Sequence, residues 1–360
     1  MPGDPPITVL MTVYNGLPYL EEAIDSILAQ TFRGFEFLIV DDASTDASRE
    51  LIASYRDGRI HLIANDQNVG QTRSLNRGLE LARGEFVARL DHDDRAHPER
   101  LERQYAFLTA KPDVAIAGTA SRVIDEKGLV IGKRPFFGSP TVILWTMLFE
   151  CVLTHSSTMF RRSLIWNEFG GYDDGVRFAE DFDLWSRVAA QHRLANMPDV
   201  LTDSRYLESS KSRKHLQEMY DQTNQTILAN VSRFLNMEEI PASWRRFLVA
   251  QNIYLAEPGT RATELSGALE EIKSVFVDRY PEVASEPEFK VHLAPLYWQI
   301  ANLCPRDRVG SMKAWNRSRA LDAAIGTPAN FARLWALWLG GAEARCLYRR
   351  FCRTPATGGS

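Results

Sequence analysis

Short β-branched runs alternate with helical runs through the first third of the chain. Ile7–Val13, Phe35–Val40, Ile60–Ala64, Phe86–Leu90 and Val114–Gly118 have the Val, Ile, Leu and Phe density of buried strands. Between them, Leu20–Gln30, a stretch from Ser44 and Asp46 to about Tyr55, Thr72–Ala82 and a segment opened by Pro98 place apolar residues at helical spacing. Such alternation predicts an α/β fold with a doubly wound, mainly parallel sheet. Ligands bind such sheets at the C-terminal ends of the strands. Three polar clusters stand at those ends: Tyr14-Asn15-Gly16, Asp41-Asp42, and Asp91-His92-Asp93-Asp94. They span about eighty residues of sequence and are expected to converge on one sheet edge.

From about Trp145 the alternation weakens, although Val152–Phe160, Glu180–Gln191 and Ala195–Leu201 still read as parts of the same domain. After Leu216 the spacing of Met219, Thr223, Ile227, Val231 and Phe234 becomes helical, and helices joined by Pro/Gly loops follow. The polar stretch Glu208–Lys214 is the expected boundary, dividing a domain of residues 1–210 from a helical extension of residues 211–360. Lys and Arg number 42 against 46 Asp and Glu, so no basic field points to nucleic acid as a partner. The four cysteines, Cys151, Cys304, Cys346 and Cys352, have neither disulfide-framework nor zinc-ligand spacing. No charged and apolar leader opens the chain, so a cytoplasmic location is expected.

The chemistry concentrates at the strand ends. Three carboxylates within Asp91–Asp94 repel one another and favour a neutralising cation. Oxygen donors suit Mg²⁺ or Mn²⁺, which can also bridge a diphosphate. A solvated acidic turn before the Pro98 helix is the competing reading of this segment. The Asp41–Asp46 segment offers helix caps in Ser44 and Asp46, but capping leaves the two acids at the strand exit unexplained. A carboxylate there can accept a hydrogen bond from a uracil imide or a ribose hydroxyl. Glu180-Asp181 reads either as a helix-start acid pair or as a catalytic pair.

Five segments occur in order: Thr12-Val13-Tyr14-Asn15, Asp41-Asp42-x-Ser44-Thr45-Asp46, Asn68-Val69-Gly70 with Leu75-Asn76-Arg77-Gly78, Ala88-Arg89-Leu90-Asp91-x-Asp93-Asp94, and Glu180-Asp181-x-Asp183-Leu184-Trp185. Over Ile7 to Tyr206 the chain resembles the family 2 glycosyltransferases. The resemblance implies the GT-A fold, a nucleotide-diphosphate sugar donor (a UDP-sugar favoured), a divalent metal, and inversion at the anomeric carbon. It places Thr12, Tyr14, Asn15, Asp42 and Asn76 around the nucleotide, with Tyr14 stacking and Asp42 hydrogen-bonding. It makes Asp91 the ribose-side acid, Asp93 the metal ligand, and Asp181 the base with Glu180 beside it. His155 falls in a segment that lines the donor–acceptor cleft in the family, and a purely structural histidine is the equal alternative.

Two positions depart from the family pattern. Ala43 stands where glycine often follows the acid pair, and a turn of ordinary backbone angle is expected there. Arg205-Tyr206-Leu207 keeps the arginine of an Arg-x-His motif and lacks its histidine. The processive signature Gln-x-x-Arg-Trp is absent, so transfer of a single sugar is expected, to a glycan or lipid-linked acceptor in surface polysaccharide or glycan biosynthesis. A scaffold or carbohydrate-binding protein of the same fold without turnover is the alternative. A dehydrogenase is disfavoured because no G-x-G-x-x-G follows the first strand, and a pyrophosphorylase because its glycine-rich loop is missing there. In the tail, Phe331, Leu334, Trp335 and Trp338 share a helical face ahead of Arg345, Arg349, Arg350 and Arg353. Such a helix either packs on the protein or lies on the inner face of the cell membrane.

Overall fold

A computed structural model describes residues 4–134, 136–207, 215–253, 256–304 and 306–323. The tail residues from Phe331 to Arg353, and the boundary stretch 208–214, lie outside the described residues. Two compact units divide the chain. The first takes Met1–Ile143 and Cys151–Gln222, and the second takes Leu144–Glu150 and the chain from Thr223 onward.

The first unit is built on β1 (Ile7–Val13), α1 (Leu20–Leu28), β2 (Phe35–Asp41), α2 (Ser48–Ser54), β3 (Ile60–Ala64), α3 (Gln71–Leu81), β4 (Phe86–Arg89), β5 (Arg95–Ala96) and α4 (Arg100–Ala110). It continues through β6 (Val114–Ile124), β7 (Val130–Lys133), the start of α5 (Pro140–Thr146, which passes into the second unit at Leu144), β8 (Met159–Arg161), α6 (Glu180–Ala189) and β9 (Arg193–Arg205). The nine strands form one sheet in the order β3-β2-β1-β4-β8-β6-β9-β5, with β7 attached to β6. Every residue of β1 and β2 is buried, as expected of strands covered on both faces. Helix α3 packs closely over β1 through Gly78, where an added Cβ would stand only 2.2 Å from Leu10 Cδ1.

The parallel half expected from sequence is present: β3, β2, β1 and β4 run parallel in register, with Val13 beside Asp41 and Leu10 beside Arg89. The other half is mixed. Strand β8 runs antiparallel to both β4 and β6, while β6 and β9 pair in parallel. Short connections leave no room for a helical crossover between β6 and β7, which therefore pair as an antiparallel hairpin.

The second unit holds α7 (Leu216–Leu235, mostly within it), α8 (Ala242–Ile253), α9 (Ala262–Arg279), α10 (Pro287–Leu303) and α11 (Arg308–Leu321). Its core is aromatic. Trp145 is fully buried and meets Phe149, Phe276 and Phe289 at ring-centroid separations of 4.9, 5.1 and 5.0 Å, each near edge-to-face. No helix among the described residues is long and apolar enough to cross a membrane. Trp145→Ala should destabilise this unit by about 3–5 kcal/mol, the usual cost of emptying so large a core site. Guanidinium unfolding followed by circular dichroism measures it.

Candidate active site at the strand exits

The parallel register brings the ends of β1, β2 and β4 to one edge, and side-chain hydrogen bonds lock their loops together. The Asn15 side chain accepts from Thr45 N at 2.8 Å and Asp46 N at 3.3 Å. In return, Asn15 N donates to Ser44 Oγ at 3.0 Å and Gly16 N to Ser48 Oγ at 2.8 Å. His92 Nδ1 lies 3.3 Å from the Thr12 carbonyl, tying in the β4 exit. Thr12 is buried in this junction, while Tyr14 is 46% exposed, so its ring is available to a ligand.

The turn after Asp42 differs from expectation. Ala43 has φ +59°, a left-handed conformation, as does Asn15 at +54°. Left-handed backbone crowds a Cβ and costs roughly 1–2 kcal/mol, which explains the family's frequent glycine here. Asp41 is held by Arg49 Nε and Nη2 at 3.0 and 2.8 Å, and α2 begins only at Ser48, whose N–H donates to Asp46.

Asp42 is buried and works on its own chain. Its Oδ1 accepts from Asn65 Nδ2 at 2.7 Å and Val69 N at 2.9 Å, and its Oδ2 from Gly70 N at 2.9 Å. A carboxylate offers about four acceptor positions, so one remains for a ligand. Asn76, expected at the nucleotide, is used elsewhere. Its amide donates to Tyr172 O at 2.8 Å and Asp174 Oδ1 at 3.1 Å and accepts from Tyr172 N at 2.9 Å, strapping α3 to the loop before α6. Gly171 must be glycine for this strap: its φ is +76°, and a Cβ would meet Asn76 Oδ1 at 2.6 Å.

The acidic cluster after β4 is compensated unevenly. Asp91 takes the fully buried Arg89 guanidinium on Oδ1 and Ser156 Oγ at 2.8 Å on Oδ2. Burial pushes its carboxyl up, but Arg89 and Ser156 outweigh it and hold Asp91 down at about 2. Asp93 is the opposite case. Burial, with the Asp91 charge beside it, raises its carboxyl to about 6. Asp94 is pushed well above the ordinary range by burial and then by Asp93 and Asp91, while accepting the Arg205 N–H at 2.6 Å. The Arg205 side chain donates to the Asp93 carbonyl at 2.9 Å and the Asp125 carbonyl at 3.0 Å, pairs with Glu22, and lies 4.4 Å over the Tyr19 ring.

The contacts of Arg89 and Arg205 with the acidic loop depend on the fold. Arg89 stands in the motif itself and Arg205 at a known motif position, but only the fold shows both guanidinium groups buried against the acidic loop. No set of three or more His, Cys, Asp or Glu side chains able to hold a metal ion occurs among the described residues. Among those residues, none forms a side-chain ion pair with the Asp93 carboxylate. A charge-crowded carboxylate of this kind is chemically compatible with a hard divalent cation.

Glu180 and Asp181 open α6, where the helix dipole favours negative charge. Glu180 is buried and Asp181 half-buried, with Oδ1 accepting Phe182 N at 2.8 Å. Burial raises the Asp181 carboxyl to about 6, with the Asp91 charge adding to the effect, so the two acids share one electrostatic environment. The Cys151 thiol, whose spacing to the other cysteines points to no site, donates to Asp181 Oδ2 at 4.0 Å. His155 is buried, its Nε2 2.8 Å from the Tyr172 hydroxyl and its ring edge-on to Trp185. Burial and then Arg89 depress its pKa to about 3, so it is neutral near pH 7.

Residues 8–169 match the family model described as glycosyl transferase family 2. The putative glycosyltransferase EpsE of Bacillus subtilis (strain 168) is 33% identical over 271 residues, 73% of this chain and 91% of that protein. Among solved structures, TarS residues 1–349 from S. aureus in complex with UDP-GlcNAc superposes with TM-score 0.52 at 17% identity, over 89% of this chain and 91% of that one. The mannosyltransferase PcManGT of Pyrobaculum calidifontis, in complex with GDP-Man and Mn²⁺, gives 0.50 at 17% identity, over 98% and 89%. These likenesses show the GT-A fold that the sequence led us to expect. With an acid-lined edge on that fold and a relative of this identity and coverage, the chain belongs to glycosyltransferase family 2.

Proposed function

We propose that the protein is an inverting glycosyltransferase that moves one sugar from a nucleotide-diphosphate donor to an acceptor hydroxyl. The observation that carries this reading is the division of labour among the acids. Arg89 and Ser156 keep Asp91 ionised, Asp93 is left without a cation, and Asp181 stands apart at the start of α6.

The exposed Tyr14 ring stacks on the base, and the remaining acceptor position of Asp42 meets the nucleoside from the β2 exit. Asp42 does more by holding the Asn65–Gly70 loop, and Asn76 by shaping the loop before α6. UDP-GlcNAc on TarS and GDP-Man on PcManGT favour a nucleotide sugar of this general kind, a UDP-sugar first. Asp93 would hold a Mg²⁺ or Mn²⁺ ion, which would supply positive charge to the leaving diphosphate. The Mn²⁺ in PcManGT supports that choice.

Asp181 takes the proton from the acceptor hydroxyl as its oxygen attacks the anomeric carbon. The new carbon–oxygen bond forms as the bond to the diphosphate breaks, and attack from the opposite face inverts the centre. His155, neutral and bonded to Tyr172, supports the floor of the cleft and leaves the proton to Asp181.

Asp181→Asn preserves shape but cannot accept the proton. Transfer from a nucleotide sugar identified in a donor panel should fall ~10²–10⁴-fold or more. Nucleotide affinity by calorimetry should change by less than about threefold. Near-normal transfer by this variant would remove Asp181 from the role, and lost nucleotide binding would make it a binding residue.

The wild-type enzyme should also show an acidic limb near pH 6. Burial raises the Asp181 pKa, so protonation through that value removes the base and kcat/KM falls as pH drops. A kcat/KM profile flat from pH ~7 to ~5 would contradict this.

A further inference from the structure

The β6–β7 hairpin projects a short aliphatic tip that the chemistry above does not use. Leu129, Val130 and Ile131 are consecutive and 63, 52 and 56% exposed. Elsewhere in the unit, exposed large apolar residues are scattered, which is ordinary for a protein surface. Exposed Lys127, Lys133 and Arg134 bracket the tip. Glu126 is the one exposed acid there, while Asp125 accepts the N–H groups of Lys127 and Leu129 at 2.9 Å and closes the turn.

The turn is held firmly from behind. Arg205 donates to the Asp125 and Glu126 carbonyls, and Arg95 Nη2 to the Gly128 carbonyl at 3.2 Å. A tip fixed in this way keeps its aliphatic side chains in water, uncovered among the described residues. Strand addition by a second copy is an unfavourable way to cover it. The pairing of β6 with β7 slips between Val123 and Ile124, and a bulge and a lysine both blunt a free strand edge. A fluid apolar phase has no such register to satisfy, and cations around an aliphatic tip match anionic headgroups.

We propose that the β6–β7 hairpin docks the protein onto an anionic lipid surface, inserting Leu129, Val130 and Ile131 among the acyl chains. Arg205 donates to the Asp125 and Glu126 carbonyls of the turn and to the Asp93 carbonyl, so the docked hairpin adjoins the acidic loop. An acceptor carried on a lipid would then arrive beside that loop. This last link rests on the function proposed for the acidic loop, whereas the lipid contact does not.

Full-length protein is co-sedimented with phosphatidylglycerol–phosphatidylcholine vesicles and with pure phosphatidylcholine vesicles. The triple variant Leu129→Ser/Val130→Ser/Ile131→Ser, checked for an unchanged thermal melt, should lose roughly 30-fold or more in partitioning to anionic vesicles. Lys127→Gln/Lys133→Gln should weaken binding to the anionic vesicles and leave the weaker binding to neutral ones unchanged. Neither variant touches the acidic site, so slow donor hydrolysis in solution should stay at the wild-type rate. Equal sedimentation of wild type and triple variant, or no wild-type binding at all, overturns the proposal. So does a wild-type dimer that the triple variant converts to monomer without change in vesicle binding, because the tip would then meet a second copy.

Discussion

Three carboxylates in four residues at the end of β4 must share one partly buried loop, and the surrounding protein decides which of them stays charged. A buried arginine is costly unless paired, and Arg89 is fully buried with Asp91 as its partner. That pairing makes Asp91 a fixed anion, whose field then raises both Asp93 and Asp94. Arg205 binds the backbone of Asp93 and the side chain of Asp94 from the end of β9, so the loop cannot relax away from its own repulsion. The uncompensated charge is therefore concentrated at Asp93, where a ligand can reach it.

The other loops serve this arrangement mostly through contacts within the protein. Asn15 joins the β1 and β2 exits, Asp42 holds the Asn65–Gly70 loop, and Asn76 straps α3 to the segment leading into α6. Such residues fix the shape of the loops at the sheet edge through bonds within the protein. Beneath them, Arg100 donates to the Arg89 and Thr158 carbonyls, and Gln104 to the Ala117 and Ser157 carbonyls. This buried polar layer stiffens the floor under Asp91 and Ser156.

Much of this was legible in the sequence because it depends on local pattern. The mostly apolar runs of β1 and β2 reflect burial on both faces, and the polar residues at and after their ends mark the strand exits. The antiparallel pairing of β8 with β4 and β6 was not legible, since pairing partners are chosen by tertiary packing and a three-residue strand has no period to read. The left-handed Ala43 was also missed: alanine carries no signal for positive φ, and only the geometry of the turn imposes it. Asp42 and Asn76 were found as motif residues, but their partners lie 23 to 98 positions away, so what they bond to depends on the fold. The hairpin tip was invisible for a similar reason, because Leu129, Val130 and Ile131 look like any short strand until their exposure is known.

If charge left over at Asp93 couples nucleotide binding to a divalent cation, as proposed, nucleotide affinity must depend on the metal. Calorimetric titration of UDP and GDP into the protein, in Mn²⁺ and in chelator, tests it most directly when repeated with Asp93→Ala. At least one nucleotide should bind about tenfold or more tightly in Mn²⁺, near 1.4 kcal/mol, and the variant should lose that difference. A nucleotide that binds equally well in Mn²⁺ and chelator, or a variant that keeps the full metal response, would contradict it.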